Sequence, residues 1–221
     1  MVKIMKPLFA ATLAASTLFA WENAQAATID FHVDVDTSAV RGTDGFLDFQ
    51  FNPDGATSQD AVATLSNFVF TGGGSLAATS DPMGGGSGVL PATLTISNVS
   101  GVNDVFQGLT YGKGFAFDLS LSGPAVDAPV GSGPGSSFLV SLFDDAVFPL
   151  LTVDPFETVL TLVLDSSGGT RIQTFDADVV GSPSVVQVVG RAPQGVPEPE
   201  VIFLILFGLV YLNRLMISRR G

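Results

Sequence analysis

The stretch Thr28-Ile29-Asp30-Phe31-His32-Val33-Asp34-Val35-Asp36 alternates apolar and polar residues over nine positions. Successive side chains of an extended chain point to opposite faces, so Ile29, Phe31, Val33 and Val35 share one face and the acids the other. That is the pattern of a half-buried strand. The period recurs where Leu47, Phe49 and Phe51 alternate with Asp48, Gln50 and Asn52, and Asn52-Pro53-Asp54-Gly55 then supplies a turn. The same logic predicts strands near residues 64–70, 92–97, 115–121, 138–143, 159–164, 171–175 and 185–189. Between them lie Gly72-Gly73-Gly74, Gly84-Gly85-Gly86-Ser87-Gly88, Gly131-Ser132-Gly133-Pro134-Gly135 and Ser166-Ser167-Gly168-Gly169. No segment of ten residues or more in this region shows helical periodicity. About nine short strands with glycine-rich turns predict an all-β fold, an antiparallel β-sandwich of jelly-roll-like form.

Of the 18 Phe, 14 fall in this middle region, mostly on the rows expected to face inward. Packing is the reading that follows. Cysteine is absent, so neither disulfides nor thiolate metal sites contribute and the hydrophobic core must carry the fold. Seventeen Asp and Glu157 stand against Arg41, Lys113, Arg171 and Arg191 between residues 27 and 195: eighteen negative charges, four positive, a net of −14. Nucleic acid is therefore not an expected partner.

The two ends read differently. Lys3 and Lys6 precede an apolar run, and Ala24-Gln25-Ala26 follows it, the order of a signal peptide over residues 1–26 with cleavage after Ala26, or after Ala27. A buried N-terminal helix is the alternative. The predicted β-sandwich ectodomain then covers residues 27–190 and a linker residues 191–196, where Ala192-Pro193-Gln194-Gly195 cannot continue helix or central strand. Residues 201–217 are apolar except at Asn213 and Arg214, and as a helix would extend about 25 Å, enough to cross a bilayer with adjustment. Arg214, Arg219 and Arg220 put positive charge on the cytoplasmic side of such a transmembrane helix and the ectodomain outside.

Pro197-Glu198-Pro199, the apolar segment after it and the terminal pair Arg219-Arg220 together resemble the PEP-CTERM sorting domain, over residues 197–221. The stretch Gly45-Phe46-Leu47-Asp48-Phe49-Gln50-Phe51-Asn52-Pro53 is also similar to one found in ectodomains of that family. The resemblance implies a protein held in the inner membrane, its ectodomain in the periplasm, until exosortase cuts near Pro197 to Pro199 and passes it to the cell surface or extracellular matrix. It also implies signal peptidase as the other processing enzyme and an association with exopolysaccharide and biofilm. Asn213-Arg214 inside the apolar stretch and only two arginines at the end depart from the family's usual pattern. A C-terminal anchor without processing is the alternative.

No catalytic constellation stands out. His32 is the only histidine, it sits between Asp30 and Asp34, and no G-x-S-x-G elbow accompanies it. Metal ligation by His32 with a neighbouring Asp is sterically reasonable because residues two apart share a strand face. No pair among 17 Asp is marked out for glycoside hydrolysis, and Glu157, beside Pro155 and Phe156, reads as a loop residue. The chain is thus expected to be neither an enzyme nor a cofactor protein. A structural calcium ion is the ligand its oxygen donors suit best, at Asp34, Asp36, Asp44, Asp54, Asp144 or Asp145. A carbohydrate-binding module is the rival to a structural or adhesive ectodomain, although Tyr111 is the only Tyr or Trp in the ectodomain to stack on a sugar. A secreted hydrolase ranks behind both.

Overall fold

A computed structural model describes residues 27–191. The predicted signal peptide, the sorting tail with its transmembrane segment, and the linker after Arg191 lie outside the described residues. Among the described residues no helix is long and apolar enough to cross a membrane.

The chain forms two six-stranded antiparallel sheets. Its strands are β1 (Ile29–Asp36), β2 (Asp44–Pro53), β3 (Val62–Thr71), β4 (Ser75–Met83), β5 (Gly86–Gly88) and β6 (Leu94–Ser97), followed by β7 (Asp104–Thr110), β8 (Gly114–Ser122), β9 (Ser136–Asp144), β10 (Thr158–Leu164), β11 (Thr170–Thr174) and β12 (Val186–Arg191). The first sheet is ordered β12-β1-β8-β3-β6-β5 and the second β11-β10-β9-β2-β7-β4. Arg191, assigned from sequence to the linker, is instead the last residue of β12, paired with Asp30. Both ends of the described domain therefore leave from the same end of the sandwich.

The core lies between the sheets. Phe31, Val33 and Val35 of β1 and Phe115, Phe117, Leu119 and Leu121 of β8 face Leu47, Phe49 and Phe51 of β2 and Phe138, Val140 and Leu142 of β9, all buried. Phe49 of the second sheet meets the edge of Phe117 of the first at 5.3 Å between centroids and 82° between planes. Burying each such ring stabilises by about 2–3 kcal/mol, and an edge-to-face contact adds about 1 kcal/mol.

Three strands, β4, β5 and β7, were not expected from the sequence. In β7 the inward row holds Gln107 between Val105 and Leu109, while Phe106 lies outward, so apolar alternation is lost. Gln107 stands inward because β4 bulges between Leu76 and Ser80, and its Nε2 donates to the carbonyls of Ala77 and Thr79 at 3.0 and 2.8 Å. β4 itself is an exposed outer strand containing Pro82, and β5 is three residues inside a tract predicted to be a loop.

Candidate functional site

Two polar places stand out, one on the outer face of each sheet. On the first sheet, β1 alternation sends His32 outward, opposite Asp118 of β8 on one side and Val189 of β12 on the other. His32 Nδ1 lies 2.6 Å from Asp118 Oδ1, while Arg191 Nη1 donates to Asp118 Oδ2 at 2.7 Å. Asn67 adds a 2.8 Å bond to the same oxygen, from a bulge of β3 where its φ is +54°, a conformation Asn tolerates. Burial alone would raise Asp118, but the bonds from Asn67, His32 and Arg191 and the guanidinium charge outweigh it and hold the carboxyl below its usual range.

Arg191 Nη2 also stands 3.2 Å from His32 Nδ1, and Asp34 Oδ2 stands 3.5 Å from Nε2. The ring is thus held between two carboxylates, and among the described residues no hydroxyl is bonded to it. Asp34, expected as His32's neighbour, is the looser contact. Asp118, which binds it closely, is 86 residues away and was not singled out.

On the second sheet, Asp48 projects outward from β2, opposite Ser141 of β9 and Phe106 of β7. Phe46 stacks on Phe106 at 4.7 Å and Phe106 meets Phe143 at 6.0 Å with the rings tilted by 40°, so three aromatic rings lie on the outer face. Under this cover Asp48 is only 5 % exposed. Its Oδ2 accepts from Gln50 Nε2 at 2.6 Å, whereas Oδ1 is buried without a protein partner. Burial pushes the carboxyl up to about 6; the Gln50 bond offsets part of this, and the charge of Asp104 adds to it. Asp104 is raised as well, by burial and by Asp81.

The calcium candidates are dispersed, and most of their carboxylates are occupied. Asp36 Oδ1 accepts the Ser38 N–H, Asp44 the Thr110 hydroxyl, Asp54 the Ser137 hydroxyl, and Asp144 the N–H groups of Ala146 and Phe148. Asp145 is exposed beside Asp144. Asp44 and Asp54 bound the two ends of β2, about 30 Å apart, and cannot share an ion. Among the described residues no three His, Asp or Glu stand together in a metal-holding group.

Tyr111 is buried, and its hydroxyl donates to the carbonyls of Phe46 and Phe143 at 2.7 and 3.0 Å, so it braces β2 against β9 and offers no stacking face. Glu157 lies in the turn before β10. The sorting residues Pro197, Glu198, Pro199, Arg219 and Arg220 lie outside the described residues. No protein-family model, no curated protein and no solved structure matches the chain.

Proposed function

We propose that the chain is an exported, exosortase-processed surface or extracellular-matrix protein whose sandwich is a structural or adhesive, non-catalytic ectodomain. The observation that carries this reading is the placement of the domain's ends. β12 closes against β1 with Asp30 opposite Arg191, and Pro197 follows six residues later in the sequence. A cut at Pro197 to Pro199 leaves all twelve strands and their ladders whole, and a tail attached there carries the domain by one end. The order of seven of the first eight strands, β1-β8-β3-β6 in one sheet and β2-β7-β4 in the other, supports the jelly-roll reading, while the short β5 pairs with β6 in the first sheet. Intact-mass spectrometry of the protein from its native host, with and without exosortase, tests the proposal. The extracellular form is expected to lack residues 1–26 and to end near Pro197 to Pro199 only when exosortase is present. A tail intact in both strains refutes it.

A second reading rests on the outer face of the second sheet. Phe46 and Phe106, half-buried and stacked above the buried Asp48 with the half-buried Gln50 nearby, supply an apolar surface with a polar group at its rim, a composition a carbohydrate-binding module could use. Glycan binding abolished by Phe106→Ala would favour this reading over a purely structural ectodomain.

A further inference from the structure

The outer strands of the two sheets are β12 and β5 in the first and β11 and β4 in the second. An outer strand leaves alternate N–H and C=O groups unpaired and templates further pairing unless something blunts it. β4 is blunted by its bulge and by Pro82, and β5 is three residues long with two glycines. In β12 the bond from Asp36 N–H to the Val185 carbonyl sets the alternation, so Val186, Val188 and Gly190 point their main-chain groups outward. Glycine weakens that row, and Val186 and Val188 already pack on the core.

β11 has none of these devices. Its sequence, Thr170-Arg171-Ile172-Gln173-Thr174, contains no Pro, Gly or acid, its ladder to β10 is regular, and all five residues are exposed. Asp165 N–H donates to the Gly169 carbonyl and Phe175 N–H to the Val159 carbonyl. Alternation between those two fixed points bonds Arg171 to Val163 and Gln173 to Thr161, and turns the main-chain groups of Thr170, Ile172 and Thr174 away from β10. The side chains of these three lie opposite Leu164, Leu162 and Leu160, on the inward row, where a charge would normally guard an edge. Ile172 in that row remains 40 % exposed.

We infer that β11 is a self-association edge: a second copy of this chain pairs its own β11 antiparallel to the first, Ile172 against Ile172, joining the two second sheets across a two-fold axis. In this register the outward-pointing residues meet one another, Thr170 against Thr174 of the second copy, and the pair forms about six main-chain hydrogen bonds. Arg171 falls opposite Gln173, so no like charges meet at the seam of two strongly acidic domains. The two Ile172 side chains cover each other and extend the core. That self-complementarity selects a second copy over a foreign strand. So small a contact is weak in dilute solution and becomes populated where the chain is concentrated.

The chain has no cysteine, so disulfide trapping has no background. Full-length chain in detergent micelles carrying Ile172→Cys is expected to cross-link to itself. Mixing Arg171→Cys with Gln173→Cys chains is expected to give mainly the mixed disulfide, since these positions face each other within disulfide reach. Ile172→Lys should weaken self-association at least tenfold by analytical ultracentrifugation with an unchanged melting temperature, while Ile172→Val retains it. Self-association unaffected by Ile172→Lys, as pairing through β12 would give, or equal trapping at all three cysteine positions, overturns the inference. So does a chain that stays monomeric and untrapped at its highest soluble concentration.

Discussion

Replacing Asp48 by Asn should stabilise this protein at neutral pH and do nothing of the kind in acid. Asp48 is 5 % exposed and its carboxyl is raised from 3.8 to about 6. About two pKa units at 1.36 kcal/mol each make a penalty of roughly 3 kcal/mol for holding the ionised form in the fold. The sign follows from a native state that binds the proton more tightly than the unfolded chain. The favourable contribution is complete below about pH 4, is lost as pH rises to about 6, and is absent above it. Asp104, raised in the same direction, adds to the slope. The lowered carboxyls of Asp36 and Asp118 act oppositely, losing stability as pH falls below about 4, and so leave the window from 4 to 6 to Asp48 and Asp104. Asn keeps an acceptor for Gln50 but buries amide hydrogens where Oδ1 now has no partner, at a cost of about 1 kcal/mol. The net gain is about 2 kcal/mol at pH 7.5, or roughly 4–8 °C in melting temperature. Calorimetric melts of both proteins from pH 4 to 8 measure it. A variant whose melting temperature differs from the parent by the same amount at every pH would refute the reasoning, because the effect would then be packing and not ionisation.

Tyr111→Phe removes the donor shared by the Phe46 and Phe143 carbonyls and should cost about 1–3 kcal/mol in chemical denaturation, without altering any glycan binding. Asp118→Asn takes the ionised acceptor from His32, Asn67 and Arg191. Because Arg191 is half exposed and its pairing screened, the loss should be about 1 kcal/mol, shrinking in high salt, which melts at two ionic strengths will show. Excess calcium should leave the melting temperature where chelator leaves it, given carboxylates already engaged by turn and strand donors; a rise of several degrees would mean a site assembled from donors this structure keeps apart.

The strands legible in the sequence are those with one face in the core and one in solvent. β1, β2 from Leu47 onward and β8 from Phe117 onward alternate cleanly because there only the inward row is apolar, and the predicted positions of the three strands fall within three residues of the observed ends. β7 was hidden because its inward Gln107 satisfies a bulge in another strand, a contact with no local signature. Phe46, Phe106 and Phe143 follow the same logic from the other side. A phenylalanine on an outward row breaks the pattern, so alternation gives no reason to expect the three rings that cover Asp48. Asp118 was illegible as a partner of His32 because only register, 86 residues apart, puts them side by side.

Register also constrains how anchoring and self-pairing combine. A two-fold axis through Ile172 reverses the strand direction of the second copy, so the ends of the two domains that carry Arg191 point opposite ways. The ten residues of β2 give the sandwich a height of about 33 Å. Residues 192–200, which precede the apolar segment, reach at most about 31 Å when fully extended, no more than that height, so an inverted copy has no slack with which to return to the same membrane. If the chain is anchored by its C-terminal segment as proposed, copies side by side are hindered from pairing through β11 and released copies are not, so the sorting cut would favour assembly by freeing orientation, with no change in the fold. In cells producing Ile172→Cys, the cross-linked dimer is expected in the extracellular fraction and to be at least tenfold depleted in the membrane fraction. Equal cross-linking in the two fractions would break the link between release and pairing.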